Sequence, residues 1–138
     1  EPMAAVLRNL GSERVWVVHG SDGIDELTIT GPSTVVELNG SELRQFEVTP
    51  EDAGLARAKL DDIKGGDADA NAKIMAAMLD GTPGPVRDIV LLNAAAALIV
   101  AGKVETLSDG VRTAGEAVDS GAARATLDKL IDITNRSS

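Results

Sequence analysis

Cysteine is absent from this chain. No disulfide framework, zinc–thiolate site or cysteine nucleophile is therefore available, which fits a reducing compartment and an expected cytoplasmic location. Aromatic side chains are scarce: Trp16 and Phe46 are the only two, too few for a base-stacking platform. Positive charge is in deficit. The 13 Lys and Arg stand against 22 Asp and Glu, a formal net charge of −9, so a nucleic-acid partner, which needs a basic patch, is not expected. Long apolar runs are missing as well. The most apolar stretch, residues 89–102, contains Asn93, ends at Lys103, and is shorter than the roughly 20 residues a bilayer span requires. It reads as a buried core helix, with no membrane partner and no secretory signal.

What the chain does have is a glycine loop with two carboxylates. Val17-Val18-His19-Gly20-Ser21-Asp22-Gly23-Ile24-Asp25-Glu26-Leu27 delivers a β-branched run into glycines and ends on adjacent acids. Open α/β sheets place ligands where strands end in such loops. Paired carboxylates there suit Mg²⁺, which takes one or two carboxylates and keeps its other positions for water and substrate phosphate. Adjacent acids in a surface loop are otherwise merely solvated. Asp22 suits a turn cap. His19, the only histidine, is of the residue type that can act as an acid or base near neutral pH, but no nucleophile–histidine–acid set assembles around it. It is expected at a strand end, hydrogen-bonded to the loop.

The elements follow from pattern. Met3, Val6, Leu7 and Leu10 define one face of an initial helix, with Pro2 at its first turn and Gly11 after its end. The chain thus enters an element at once, which suggests a portion of a longer polypeptide, the alternative being a trimmed or processed intact domain. Residues 14–18 read as a buried strand, apolar on both faces and possibly parallel. Residues 27–30 read as a short strand, and residues 33–48 as a hairpin about a type I′ turn at Asn39-Gly40. From Thr49 the pattern is helical: a start at Thr49-Pro50 that stops or bends near Gly54, then residues 68–79, 85–101, a helix from about Thr106, and 122–135. Leu107, Val111, Ala114 and Val118 form the buried stripe of the fourth of these. Leu127, Leu130, Ile131 and Thr134 are expected inward in the last. The fold class is therefore α/β, with strands and a β-hairpin in the first third packed by a helical second half.

Lys64-Gly65-Gly66-Asp67 invites a phosphate-loop reading. No clear strand precedes it, and the acids 67 and 69 repel phosphate, so Asp67 as a helix N-cap is the better reading. Gly84-Pro85-Val86-Arg87-Asp88 reads as a helix start, with Arg87 available for a buried ion pair.

Taken in order, these motifs carry a resemblance. Pro2-Met3-Ala4 to Leu10-Gly11, the loop ending in Asp25-Glu26, Lys64-Gly65-Gly66-Asp67-Ala68, Gly84-Pro85-Val86-Arg87-Asp88, Leu91-Leu92-Asn93-Ala94-Ala95-Ala96 and Glu116-Ala117-Val118-Asp119-Ser120-Gly121 resemble the C-terminal portion of the anthranilate phosphoribosyltransferase family, of the type III phosphoribosyltransferase fold. Each match is short; the ordered set spans nearly the whole chain. The resemblance implies that residues 1–138 are the C-terminal portion of a larger α/β phosphoribosyltransferase domain, with the helical domain and diphosphate loop upstream. It implies transfer of phosphoribosyl from phosphoribosyl pyrophosphate to anthranilate, in tryptophan biosynthesis, with release of pyrophosphate. Asp25 and Glu26 then hold Mg²⁺, with no catalytic residue in this chain and none of the upstream substrate contacts. A homodimer of the complete protein and a glutamine amidotransferase subunit are the partners implied. The chain alone is expected to be inactive and to self-associate. The alternatives are a paralogue with a different acceptor and a non-catalytic binding module.

Overall fold

The computed structural model describes residues 1–136. Helix α1 (Pro2–Asn9) leads into strand β1 (Arg14–Gly20). A loop, residues 21–32, connects it to β2 (Ser33–Asn39), which turns directly into β3 (Glu42–Val48). Four helices follow the strands: α2 (Ala68–Leu79), α3 (Pro85–Val100), α4 (Leu107–Asp119) and α5 (Ala122–Thr134). The α/β class expected from the pattern is the one observed.

The three strands form one sheet in the order β1-β2-β3. Both pairings are antiparallel, Val17 opposite Val36 and Val35 opposite Phe46. A parallel β1 is thus corrected. The loop after Gly20 brings the chain straight back, and an antiparallel return needs no crossover helix. Nor is β1 fully buried. It is an edge strand, and residues 15–18 are half-buried. The hairpin stands, but its turn shifts by one residue. Asn39 pairs with Glu42, so Gly40-Ser41 forms the two-residue loop. Gly40 has φ 61° and no other residue type has a positive φ, which meets the requirement of a type II′ turn rather than I′.

Residues 27–30 form no strand. Their backbone groups bond to side chains and to another loop instead of a ladder. Thr28 N–H donates to Ser33 Oγ, Thr30 N–H to Thr28 Oγ1, and Ala58 N–H to Ile29 O. The helix expected after Thr49 shrinks to two single 3₁₀ turns, Pro50–Ala53 and Leu60–Ile63. Gly54, at φ 76°, ends the first.

The core lies between one face of the sheet and α3. Leu27, Ile29, Val35, Val48, Ile89, Leu92, Ala95 and Ile99 cluster there, with Trp16, Val18 and Phe46 partly buried against them. A smaller cluster of Met78, Leu91, Ala114 and Val118 joins α2, α3 and α4. The stripe predicted for α4 holds: Leu107, Ala114 and Val118 are buried and Val111 packs against both clusters. Two predicted faces fail. On α1 the buried residue is Ala4, while Met3, Val6 and Leu10 are 64%, 55% and 76% exposed. On α5 no residue is buried, and Leu130 and Ile131 are 56% and 49% exposed. Periodicity locates an apolar stripe; it does not supply the surface to cover it.

Candidate metal centre

Everything about the acidic loop turns on how its backbone is fixed. Gly20 closes β1 at a point with no room for a side chain. A Cβ there would lie 2.6 Å from Asp22 Oδ1 and 2.6 Å from Ile24 Cγ2. Glycine therefore permits the tight turn, which Gly23 N–H to Gly20 O and Gly20 N–H to Ile24 O then close, both at 3.0 Å. Asp22 sits inside the loop as an acceptor. Its Oδ2 takes hydroxyl bonds from Thr28 and Thr30, both at 2.7 Å, and Oδ1 takes the Ile24 N–H. Burial pulls Asp22 toward a higher pKa, but these donors outweigh it and the carboxyl titrates below its ordinary value. The capping role predicted for Asp22 is the one it has.

Behind the acids, Leu27, Thr28 and Ile29 are essentially inaccessible. Burying two aliphatic side chains of this size contributes about 1.5–3 kcal/mol each, so the loop is seated rather than draped. A second anchor comes from α3. Asn93 Oδ1 accepts the Leu27 N–H, and Asn93 Nδ2 donates to Leu27 O, both at 2.9 Å.

Asp25 and Glu26 occupy the outer side of this loop, Asp25 exposed and Glu26 half-buried. Burial, and then the Asp25 charge beside it, push the Glu26 carboxyl above its ordinary value. Two like charges held together on a fixed backbone form a pair that a divalent cation would relieve. The donor set is hard oxygen only, the chemistry of Mg²⁺ rather than of a softer metal. Among the described residues no group of three or more His, Cys, Asp or Glu converges. A divalent cation at this loop would find these two carboxylates as the chain's acidic ligands among the described residues.

Other candidate residues lie elsewhere. The His19 side chain is exposed and makes no hydrogen bond among the described residues, so the expected bond to the loop is absent. Alternation along β1 turns it outward. At Gly65-Gly66 the phosphate-loop reading fails on geometry. Gly66 N–H donates to Asn71 Oδ1, and Asp67 caps α2 by accepting the Ala70 N–H at 2.9 Å. Arg87 makes its ion pair with Asp119, Nη2 to Oδ1 at 2.8 Å, tying α3 to α4. Its Nη1 is buried without a partner among the described residues. Asn93, Thr28 and Thr30 join the site only through the fold. The available signal for Asn93 was one amide in an otherwise apolar helix segment. For the threonines there was none.

A three-stranded antiparallel sheet packed by helices, with an acidic glycine loop at a strand end, defines a mixed α/β domain. Among known families, the one described as "Glycosyl transferase family, a/b domain" matches residues 1–124. The chain belongs to that family. It is 62% identical to an anthranilate phosphoribosyltransferase of Parvibaculum lavamentivorans, over 98% of this chain and 40% of that protein. To the protein of the same description from Rhodopseudomonas palustris it is 59% identical, over 97% and 40%. Among solved structures, anthranilate phosphoribosyltransferase from Thermus thermophilus superposes with a TM-score of 0.83 at 41% identity, over 93% of this chain and 37% of that one. The Saccharomyces cerevisiae protein in complex with PRPP and Mg gives 0.85 at 26% identity, over 94% and 38%. The chain thus spans about 40% of the length of the curated relatives it matches. No helix among the described residues is long and apolar enough to cross a membrane.

Proposed function

We propose that this chain is the C-terminal portion of a cytoplasmic anthranilate phosphoribosyltransferase. The complete polypeptide transfers phosphoribosyl from phosphoribosyl pyrophosphate to anthranilate, releasing pyrophosphate. The observation that carries the reading is identity near 60% over nearly the whole chain to proteins of that description, together with a seated acidic loop. In this reading Asp25 and Glu26 hold Mg²⁺, whose bound charge neutralises the departing pyrophosphate. The chain's own residues do three things. Gly20 and Asp22 shape the loop, Thr28 and Thr30 fix Asp22, and the two carboxylates present hard oxygen at the loop's outer side. Neither acid serves as a nucleophile and His19 serves as no base. Substrate recognition belongs to residues outside this chain, so residues 1–138 alone are without activity. Homodimerisation of the complete polypeptide and a glutamine amidotransferase subunit belong to the same reading.

Loss of anthranilate fluorescence with phosphoribosyl pyrophosphate and Mg²⁺ tests it. Turnover by the complete polypeptide that collapses in Asp25→Asn/Glu26→Gln, with the fold intact, is expected. Turnover indifferent to that variant keeps the transferase and discards the metal role. No turnover points to another acceptor or to a non-catalytic module.

A further inference from the structure

Beyond Arg87 and Asp88 near its start, Asn93 is the only polar residue of α3. It stands in the middle of a helix whose neighbouring positions 91, 92, 95 and 96 are buried apolar residues. Its amide is fully committed. Oδ1 accepts the Leu27 N–H, while Nδ2 donates to Leu27 O at 2.9 Å and to Ile89 O, one turn back, at 3.0 Å. The bond that Asn93 Nδ2 donates to Ile89 O fixes the rotation of the amide plane, so the pair of bonds to Leu27 has one orientation.

The first of those bonds reaches past Leu27. The Leu27 N–H lies in the same planar peptide unit as the Glu26 carbonyl and Glu26 Cα. An acceptor fixed on that N–H therefore restrains the peptide plane that leaves Glu26, and so narrows the rotation about Glu26 Cα–C that aims the Glu26 side chain. Attachment of the loop to α3 does not require this, because Leu27 and Ile29 are already fully buried against the core. What the amide adds to apolar contact is orientation. Outer residues that orient metal ligands through hydrogen bonds commonly change metal affinity by about 10- to 100-fold when removed.

We propose that Asn93 is a positioning residue for the divalent-cation site: by holding the Glu26–Leu27 peptide it sets the Glu26 carboxylate beside that of Asp25. This rests on the reading that Asp25 and Glu26 hold the metal. The Asp22–Thr28–Thr30 cluster shapes the loop from within and is independent of α3. Asn93 registers the loop against the helix.

Mn²⁺ serves as the probe, with free ion counted by electron paramagnetic resonance at a fixed concentration of phosphoribosyl pyrophosphate and the complete polypeptide. Asn93→Ala is expected to weaken Mn²⁺ uptake about tenfold or more, with the KM for anthranilate unchanged. Asn93→Asp, of nearly the same size but lacking the donors to Leu27 O and Ile89 O, weakens it too and serves if the alanine variant does not fold. Because Asn93 acts through Glu26, Asn93→Ala/Glu26→Gln binds Mn²⁺ no more weakly than Glu26→Gln alone. If Asp25→Asn and Glu26→Gln lose Mn²⁺ while both Asn93 variants keep it, or if the double variant's losses simply add, the positioning role is overturned and the metal reading survives. If wild type takes up no Mn²⁺ beyond the sugar pyrophosphate's own, or the acid variants keep it, both are overturned.

Discussion

Helices α3 and α4 approach closely at Gly110, and the structure sets the penalty for adding one methyl group there. A Cβ at Gly110 would stand 2.5 Å from Ala95 Cβ, 2.7 Å from Ala95 Cα and 3.2 Å from Ala95 O. Two of those three atoms are backbone, so no rotamer change relieves the contact; α3 and α4 must separate. Overpacking of a tight core costs about 1–3 kcal/mol, and backbone contacts put this site at the upper end, about 3 kcal/mol. Alanine returns about 1 kcal/mol of helix propensity over glycine. The net expectation for Gly110→Ala is destabilisation by about 2 kcal/mol. At a urea m-value of about 2 kcal/mol/M, this moves the unfolding midpoint down by about 1 M. Far-UV circular dichroism and the fluorescence of Trp16, the only tryptophan, report the transition. Ala95→Gly in the same background removes one of the three contacts and should restore part of the loss. A Gly110→Ala midpoint equal to or above wild type would mean the helices yield without cost, and the packing argument would be wrong.

Glu37 is buried and accepts bonds from Trp16 Nε1 at 2.9 Å and Arg44 Nε at 2.5 Å. Burial raises its pKa, but those donors and the Arg44 charge outweigh it and hold the carboxyl low. A folded pKa below the unfolded one gives stability that is full above the unfolded carboxylate range and is lost as pH falls through the folded value. Glu37→Gln should accordingly flatten the fall of melting temperature in acid; an unchanged acid limb would refute this. Glu26 has the opposite sign: its raised pKa makes the charged form costly, with stability present below the unfolded pKa and lost as pH rises through the folded one. Without metal at neutral pH, Glu26→Gln is thus expected to melt at the wild-type temperature or higher, and a clear drop would count against the reading. Arg87 is mostly buried, with Asp119 its one ion-pair partner among the described residues. Asp119→Ala strands that charge and should destabilise more than Arg87→Met, which removes it; the reverse order in urea titration would show that the stem of Arg87 matters more than its charge. The free edge of β1 and the exposed Met3, Val6 and Leu10 predict self-association of residues 1–138 in light scattering, reduced by Met3→Lys/Val6→Lys. A dilute monomer for the unsubstituted chain would contradict it.

Local signals were readable where one interaction decides the structure. Thr106 caps α4 by accepting the Asp109 N–H, and Asp67 caps α2, as their side-chain chemistry and positions indicate. Gly40 marks the hairpin, although its neighbour Ser41, not Asn39, completes the turn. Failures came where burial depends on a distant surface. Leu27 to Thr30 has strand composition, yet its buried backbone groups bond to Asn93, Ser33, Thr28 and Ala58. Nothing within four residues announces a partner that is 66 positions away. The same holds for α1 and α5, whose apolar stripes are real but largely uncovered.

The acidic site divides along the same line. That Asp25 and Glu26 share a loop after a strand is a matter of adjacency, and the sequence suffices for it. How the loop is anchored is not, because its anchors come from two unrelated sources. Asp22, Thr28 and Thr30 close a ring of side chains inside the loop, and Asn93 reaches it from a helix formed much later in the chain. A pair of adjacent carboxylates on a mobile loop would separate and solvate, relieving its own repulsion. Held by both anchors, the pair keeps that repulsion, which is why burial and the Asp25 charge still raise the Glu26 pKa. In the proposed metal-binding reading, the cost of leaving two acids close together is the counterpart of presenting them together to a cation. Releasing either anchor should lower both at once, making the loop more tolerant of its own charge and a poorer ligand.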